Sequence, residues 1–247
     1  MILSGKHVLV TGAGKRLGRA IAELLLAPAR GADVRLSAHY RTSRAEAESL
    51  AAWGKSHGRV VRPCAGDLGD VPSLQAMVKG AEAALGPVDV LVNCASDFYP
   101  TPADTVSEAE WDHFLSVNLK GQFFLAQAVA PGMKARGSGV IVNLGDVNAE
   151  KPMARYAPYN ASKGGLLNLT RALAKEWAPT IRVNALHPGA VLAPPNYTDA
   201  QKEKAIERSL LKRWGTAEDV ANGVLFLIEA DYVTGQALNI DGGRSIN

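Results

Sequence analysis

Tyr159 and Lys163 are four residues apart, so a helix would stack their side chains on one face, and Asp146 lies thirteen residues before the tyrosine. Together these groups can move a proton. A free tyrosine titrates near ~10 and is a poor acid or base at neutral pH. A cation held close favours phenolate and lowers that value, which makes the phenol usable for general acid–base work. The spacing thus predicts that Lys163 acts on Tyr159. A Tyr-x-x-x-Lys pair also arises by accident on exposed helices, so its meaning rests on what the rest of the chain puts beside it.

A second set of residues suits a ligand that carries phosphate. Thr11-Gly12-Ala13-Gly14-Lys15-Arg16-Leu17-Gly18 follows an apolar run and opens an amphipathic segment, Arg19 to Leu25. A strand, a glycine-rich turn and a helix start make a pyrophosphate site, because glycine permits close backbone approach and the helix start presents unpaired N–H groups. Arg16 in the first helical turn opposes the helix dipole, a penalty that a bound diphosphate would reverse; the plainer reading is a solvated arginine. After the second apolar run comes His39-Tyr40-Arg41-Thr42-Ser43-Arg44, with no acid. An acid there binds a ribose 2′-hydroxyl and a base accommodates a 2′-phosphate, so Tyr40, Arg41 and Thr42 predict NADPH over NADH. Asp67 and Leu68, after the third run, are placed beside the adenine ring, although Asp is also an ordinary turn or capping residue.

These groups need a scaffold that brings strand ends together. Apolar runs at His7 to Val10, Val34 to His39, Val60 to Arg62, Val88 to Asn93, Val140 to Leu144, Ile181 to Ala185 and Ala237 to Ile240 read as strands. Segments of helical period lie near 15–28, 43–57, 72–85, 107–130, 157–178 and 217–229, with a looser one at 190–213. The alternation predicts an α/β Rossmann-type, doubly wound sheet of about seven parallel strands with helices on both faces. No repeat or linker divides it, so residues 1–247 are expected to form a single catalytic domain. Pro188, Pro194 and Pro195 mark a loop over a site, and residues 190–213 are expected to form much of the substrate pocket.

Composition narrows the function classes. Hydrophobic content of 47% with 21% charged residues fits an ordinary globular protein rather than a disordered one. A formal charge of +3 over 247 residues, without a long basic run, argues against a nucleic-acid partner and suits a cleft for an anionic cofactor. No apolar stretch reaches the ~18 residues of a membrane span, so no membrane partner and a cytoplasmic location are expected. Cys64 and Cys94 lack metal-ligand spacing and read as buried free thiols. His7, His57 and His113 show no ligand spacing either, and no metal is expected. His187 reads as a supporting residue near the site, and of the four tryptophans only Trp214 borders the pocket loop.

Thr11-Gly12 with Leu17-Gly18, Asn93-Cys94-Ala95-Ser96, Asn118, Tyr159 to Lys163 and Pro188-Gly189 occur in an order and spacing that resemble the short-chain dehydrogenase/reductase family over nearly the whole chain. The resemblance implies NAD(P) binding by Gly12, Lys15, Arg16, Leu17, Gly18, Asn93, Ala95, Ser96, Pro188 and Gly189. It implies that Tyr159 is the acid–base residue, that Lys163 binds the nicotinamide ribose and lowers the tyrosine pKa, and that Asn118 continues a proton relay. A homotetramer, or a dimer, built partly on the helix of Tyr159 is also implied. Two positions depart from the common pattern: Arg16 stands where a middle glycine is usual, and Asp146 where a catalytic serine is usual. With His39-Tyr40 and Ser96-Asp97-Phe98-Tyr99-Pro100-Thr101-Pro102, these departures look like the pteridine reductase branch. Phe98 would then stack on a flat pterin, with Arg16 and Ser96 at its polar edge or on the cofactor phosphates, and Asp146 and Tyr159 beside it; the plainer reading of Phe98 is loop packing.

The expected reaction is NADPH-dependent reduction of a ring C=N bond in a dihydropterin or dihydrofolate. The alternative is a carbonyl reductase acting on a 3-oxoacyl, quinone or sugar-like substrate, and a third reading is a non-catalytic NADP(H)-binding sensor.

Overall fold

Valine, leucine and isoleucine concentrate in seven short runs, and each run folds as a strand. The computed structural model describes residues 1–27, 33–193 and 197–247. The strands are β1 (His7–Val10), β2 (Arg35–Tyr40), β3 (Val60–Ala65), β4 (Val90–Asn93), β5 (Gly139–Leu144), β6 (Ile181–Pro188) and β7 (Ala237–Ile240). They pair in parallel in the order β3-β2-β1-β4-β5-β6-β7. The helices are α1 (Arg16–Leu25), α2 (Arg44–Ser56), α3 (Val71–Leu85), α4 (Glu108–Leu115), α5 (Gly121–Ala135), α6 (Ala157–Trp177), α7 (Asp199–Glu207) and α8 (Ala217–Glu229).

Strand side chains alternate between faces, and the register turns that alternation into two cores. Val8, Val90 and Val140 lie in one row and Val10, Val92 and Val142 in another. Both rows pack with Ile21 and Leu25 of α1 and Val220 and Val224 of α8. The row between them, Leu9, Leu91 and Ile141, faces the opposite way onto Leu74 of α3, Leu125 and Val129 of α5 and Leu173 of α6. Each such side chain stabilises the fold by about 1.5–3 kcal/mol on burial, so helices on both faces are required. The strand order reverses between β1 and β4, and this switch point opens a crevice at the carboxyl ends of the strands.

Some boundaries differ from the sequence expectation for identifiable reasons. The segment expected as one helix over 107–130 is α4 and α5 joined by a π turn, Ser116–Lys120. Gly121 follows that turn where a Cβ would lie 2.2 Å from the Leu68 carbonyl oxygen, so the helix meets the β3 loop there too closely for a side chain. β3 runs on to Ala65 despite Pro63, which an edge strand tolerates. The looser segment at 190–213 contains α7, whose start is fixed by a reciprocal Thr198–Gln201 capping box. Pro194 and Pro195 lie outside the described residues.

No helix among the described residues is long and apolar enough to cross a membrane, and no group of side chains among them could hold a metal ion. Cys64 and Cys94 are free thiols, half-buried, and burial pushes both up to about 12.

Candidate active site

The crevice is built first from backbone. Thr11 follows β1, and its Oγ1 accepts from the Cys94 and Ala95 N–H groups at 2.8 and 2.9 Å, tying the two loops of the switch point together. Gly12 has φ +66, and a Cβ on Gly18 would lie 2.2 Å from the Gly12 carbonyl oxygen, so both positions require glycine. Arg16 has φ 48, a left-handed conformation natural to glycine; an L-residue pays about 1–2 kcal/mol for it. The start of α1, like those of α2 and α6, has no side-chain cap, and it has no acid in its first turn, whereas α3, α4, α7 and α8 each begin with a capping side chain; of the uncapped starts, that of α1 follows the glycine turn. Its N–H groups therefore remain for an anion.

A cavity of about 480 Å³ runs from this turn to the end of β2, and it brings Gly12, Lys15, Arg16, Leu17 and Gly18 together with Tyr40, Arg41 and Thr42. Leu68, Ala95 and Ser96 close its other side. Two expected members do not line it. Asp67 turns its Oδ1 to the Gly69 N–H at 2.8 Å, a local turn. Asn93 is buried within the sheet and donates to Asn143 Oδ1 at 2.9 Å, which makes it a β4–β5 link rather than a ligand contact. Arg41 and Lys15 are engaged by acids: Arg41 Nη1 is 3.8 Å from Asp97 Oδ2 and Lys15 is 2.7 Å from Glu46. Asp97 is also bonded by His113 Nε2 at 2.7 Å.

A second cavity, of about 500 Å³, continues from Arg16, Ser96 and Phe98 to Asp146, Tyr159, Lys163, Pro188 and Gly189. α6 places Tyr159 and Lys163 on one buried face, and Asp146 follows β5 at the same edge. Tyr159 donates its hydroxyl to Asp146 Oδ2 at 2.6 Å. Asp146 Oδ1 accepts from the backbone and side-chain nitrogens of Asn148 at 2.8 and 2.6 Å, which fixes the carboxylate. Lys163 donates to the Leu144 carbonyl at 2.8 Å, and its Nζ stands 5.8 Å from the centre of the Tyr159 ring. Burial, and then the Asp146 charge, push the Tyr159 pKa well above its usual value. Burial brings Lys163 down to about 8 against the opposing pull of Asp146. The structure does not bear out the expectation that Lys163 lowers the tyrosine pKa: the carboxylate, not the ammonium, meets the phenol. Tyr159 is held as a protonated phenol bonded to Asp146.

Three more expected residues take positions the sequence did not specify. Asn118, in the π turn, is fully buried; its Oδ1 accepts from the Asp97 N–H at 2.9 Å and its Nδ2 donates to the Asp97 carbonyl at 3.0 Å. It clamps the loop that carries Phe98. Phe98 stacks on Tyr156 with ring centres 4.8 Å apart and presents its ring to the edge of Tyr159 at 4.9 Å. Arg16 reaches across the cavity and donates to the Leu192 carbonyl at 2.6 Å, joining the glycine turn to the loop after β6.

The family profile described as enoyl-(acyl carrier protein) reductase matches residues 12–245. L-xylulose reductase of Bos taurus is 36% identical over 98% of this chain and 97% of its own length. The 3-oxoacyl-(acyl-carrier-protein) reductase of Staphylococcus aureus is 35% identical over 96% of this chain and 97% of its own. A gluconate 5-dehydrogenase of Burkholderia cenocepacia, solved with NADP and tartrate, superposes with a TM-score of 0.91 at 32% identity, covering 99% of this chain and 97% of its own. The chain belongs to the short-chain dehydrogenase/reductase family. It is an oxidoreductase with that family's Rossmann-type fold.

In this short-chain dehydrogenase/reductase, three supporting residues escaped the sequence reading. His39 accepts from the Gly12 N–H on Nδ1 at 3.2 Å, so its proton lies on Nε2, which is 3.1 Å from the Gly66 carbonyl. Burial lowers its pKa and keeps it neutral, a brace beneath the glycine turn. Asn148 and Tyr156 orient Asp146 and Phe98 respectively. Asn148 lies two residues after a carboxylate at a strand end, a recognisable Asx-turn position; nothing in the sequence pattern marked Tyr156. Trp214 does line the cavity, whereas His187 is buried beside it with its ring against Gly145.

Proposed function

We propose that this chain is an NADPH-dependent reductase, with residues 1–247 acting as one catalytic unit and Tyr159 as proton donor. The uncapped start of α1, the two obligatory glycines and the cavity reaching Arg41 fit a dinucleotide with a 2′-phosphate. NADP in the Burkholderia cenocepacia structure supports the same cofactor. Bound there, NADPH would supply the hydride. Lys15, Arg16 and the α1 start would hold its phosphates, Tyr40, Arg41 and Thr42 its adenosine end, and Lys163, Pro188 and Gly189 its nicotinamide end. Tyr159 would deliver the proton by turning its O–H from Asp146 to the substrate. A homotetramer remains the proposed assembly.

Two substrate readings divide at Asp146. The named relatives act on xylulose and on a 3-oxoacyl group, and they favour a carbonyl reductase of the broader kind. The site favours a dihydropterin or dihydrofolate. A serine hydroxyl can donate to a carbonyl oxygen, but the Asp146 carboxylate can only accept, and it repels an oxygen that is gaining charge. A pterin brings N–H donors at its rim and a flat face for Phe98, so carboxylate and aromatic ring both find partners. The observation that carries this reading is Asp146 bonded to the Tyr159 hydroxyl at 2.6 Å in the usual serine position. Bound NADPH would supply hydride for the carbon of the C=N bond, and Tyr159 would give its proton to the nitrogen, directly or through water.

The test follows NADPH absorbance with dihydrobiopterin, dihydrofolate, xylulose and simple ketones. Turnover of the pterins with little of the ketones is expected. Turnover of ketones alone would overturn the pterin reading and leave the carbonyl reductase. Oxidation with none of them would favour a sensor, against which the intact Tyr159–Lys163 pair argues.

A further inference from the structure

Beyond the reacting groups the cavity turns basic. Lys204 and Arg208, at the end of α7, and Arg244, in the turn after β7, line the same space as Tyr159. A third cavity, of about 510 Å³, adjoins it, shares Arg208 and Arg244, adds Lys151 and has no acidic residue in its lining. Among the described residues Asp146 is the only acid lining the first, and it is bonded by Tyr159 and Asn148. No carboxylate side chain among the described residues pairs with Lys204, Arg208 or Arg244; Lys151 bonds the main-chain oxygen of Asn247. Asp241 is near Arg244 in sequence, but its two oxygens accept from the Gly243 and Ser245 N–H groups at 2.9 and 2.6 Å. Glu203 and Glu207 of α7 line neither cavity.

The two arginines are also held together. Buried Ser209, next to Arg208, donates to the Gly242 carbonyl at 3.0 Å, the Leu211 N–H donates to the same oxygen at 3.1 Å, and Asn247 Nδ2 donates to the Arg208 carbonyl at 3.2 Å. The end of α7 and the turn after β7 thus move as one unit. A concave group of cations, exposed at Lys204 and Arg208 and half-buried at Arg244, with no carboxylate side chain among the described residues paired to them, raises the local concentration of anions, and arginine offers a carboxylate or phosphate two parallel hydrogen bonds.

We propose that Arg208 and Arg244, with Lys204 at the rim, form a subsite for an anionic group at the far end of the substrate from the reacting bond. The inference deepens the reductase reading and rests on it. With a pterin ring the anion is a glutamate-type carboxylate tail; with a carbonyl substrate it is the carboxylate of a sugar acid.

The experiment compares matched substrates in the full-length enzyme: dihydrofolate against dihydrobiopterin, and 5-ketogluconate against xylulose. The first pair carries the test if pterins turn over, the second if only carbonyl compounds do. The wild-type KM should be lower for the anionic member and should rise with salt. Arg244→Ala and, separately, Arg208→Ala should raise the KM of the anionic member about ten-fold more than that of its neutral partner, the range of one charged hydrogen bond. The kcat of the anionic member should change much less than its KM, and Arg244→Lys should restore part of the preference. Equal KM values for both members in the wild type, or equal effects of both alanine variants on the two members, would overturn the subsite while leaving the reductase intact. Turnover of neither pair would remove the reductase reading, and the subsite with it.

Discussion

The two ends of the crevice are shaped by different material. At the glycine turn the backbone makes the site: Gly12 at φ +66, Gly18 against the Gly12 carbonyl and an α1 start without a cap. At the Asp146–Lys163 end side chains make it, through a buried phenol, a carboxylate held by Asn148 and an ammonium on the Leu144 carbonyl. A backbone site tolerates no added atom, and its preference for an anion comes from main-chain N–H groups that no side-chain change removes. A side-chain site keeps its shape when one group is changed and loses its proton chemistry. The two should therefore fail in different ways.

The largest expected effect lies at the side-chain end. Tyr159→Phe should lower kcat by about 10²–10⁴-fold, the usual contribution of a positioned acid, while NADPH affinity, measured by fluorescence titration, changes little. Near-normal turnover in that variant would sink the role of Tyr159. At the backbone end Gly18→Ala should do the reverse. Its Cβ must displace the Gly12 carbonyl or move α1, at about 1–3 kcal/mol, so melting temperature and NADPH affinity should both fall. A Gly18→Ala enzyme that binds NADPH normally would show that the turn is not the cofactor cradle.

This contrast also explains what was legible in the sequence. The seven strands and the glycine turn could be read because apolar runs and glycine spacing report backbone demands that any side-chain arrangement must meet. Tyr159, Lys163 and Asp146 could be brought to one edge by the same logic. Their pairing could not, because either Lys163 or Asp146 is compatible with the spacing, and only burial decides which one reaches the phenol. Asn118 and Asn93 fall in the same class. Each lies in a motif, yet the direction of the amide follows from a π turn and a sheet register that no local pattern specifies.

The next effect in size is on pH, and it separates Lys163 from Tyr159. Tyr159 lies well above 10, so its ionisation cannot limit activity in the neutral range. Lys163 loses its proton near about 8, and kcat/KM should fall about ten-fold per pH unit above that value if the ammonium is needed. Stability should move the other way. The unfolded chain keeps the Lys163 proton up to its ordinary 10.5, so between about 8 and 10.5 it binds more protons than the folded chain, and the folded state gains as pH rises. Lys163→Met should remove both trends. A melting temperature in wild type that drops across this window, with no difference from the variant, would contradict the buried ammonium.

The smallest effect tests the outer end of the cofactor cavity, where neither rule holds cleanly. Arg41 is half exposed and shares its charge with Asp97, which is fixed by Asn118 through its backbone and by His113 through its carboxylate. A 2′-phosphate must compete with that carboxylate for the guanidinium, and solvent screens both partners. Arg41→Ala should therefore weaken NADPH only several-fold, about 1 kcal/mol, and leave NADH unchanged. Asp97→Asn should do the opposite and tighten NADPH by a similar factor, because the asparagine keeps the loop in place and releases the arginine. Calorimetry with 2′,5′-ADP and 5′-ADP reads the same difference without turnover. Equal affinities for the two nucleotides in wild type would remove the 2′-phosphate site. A wild-type preference that Asp97→Asn leaves unchanged would instead show that the phosphate approaches Arg41 from the side away from Asp97.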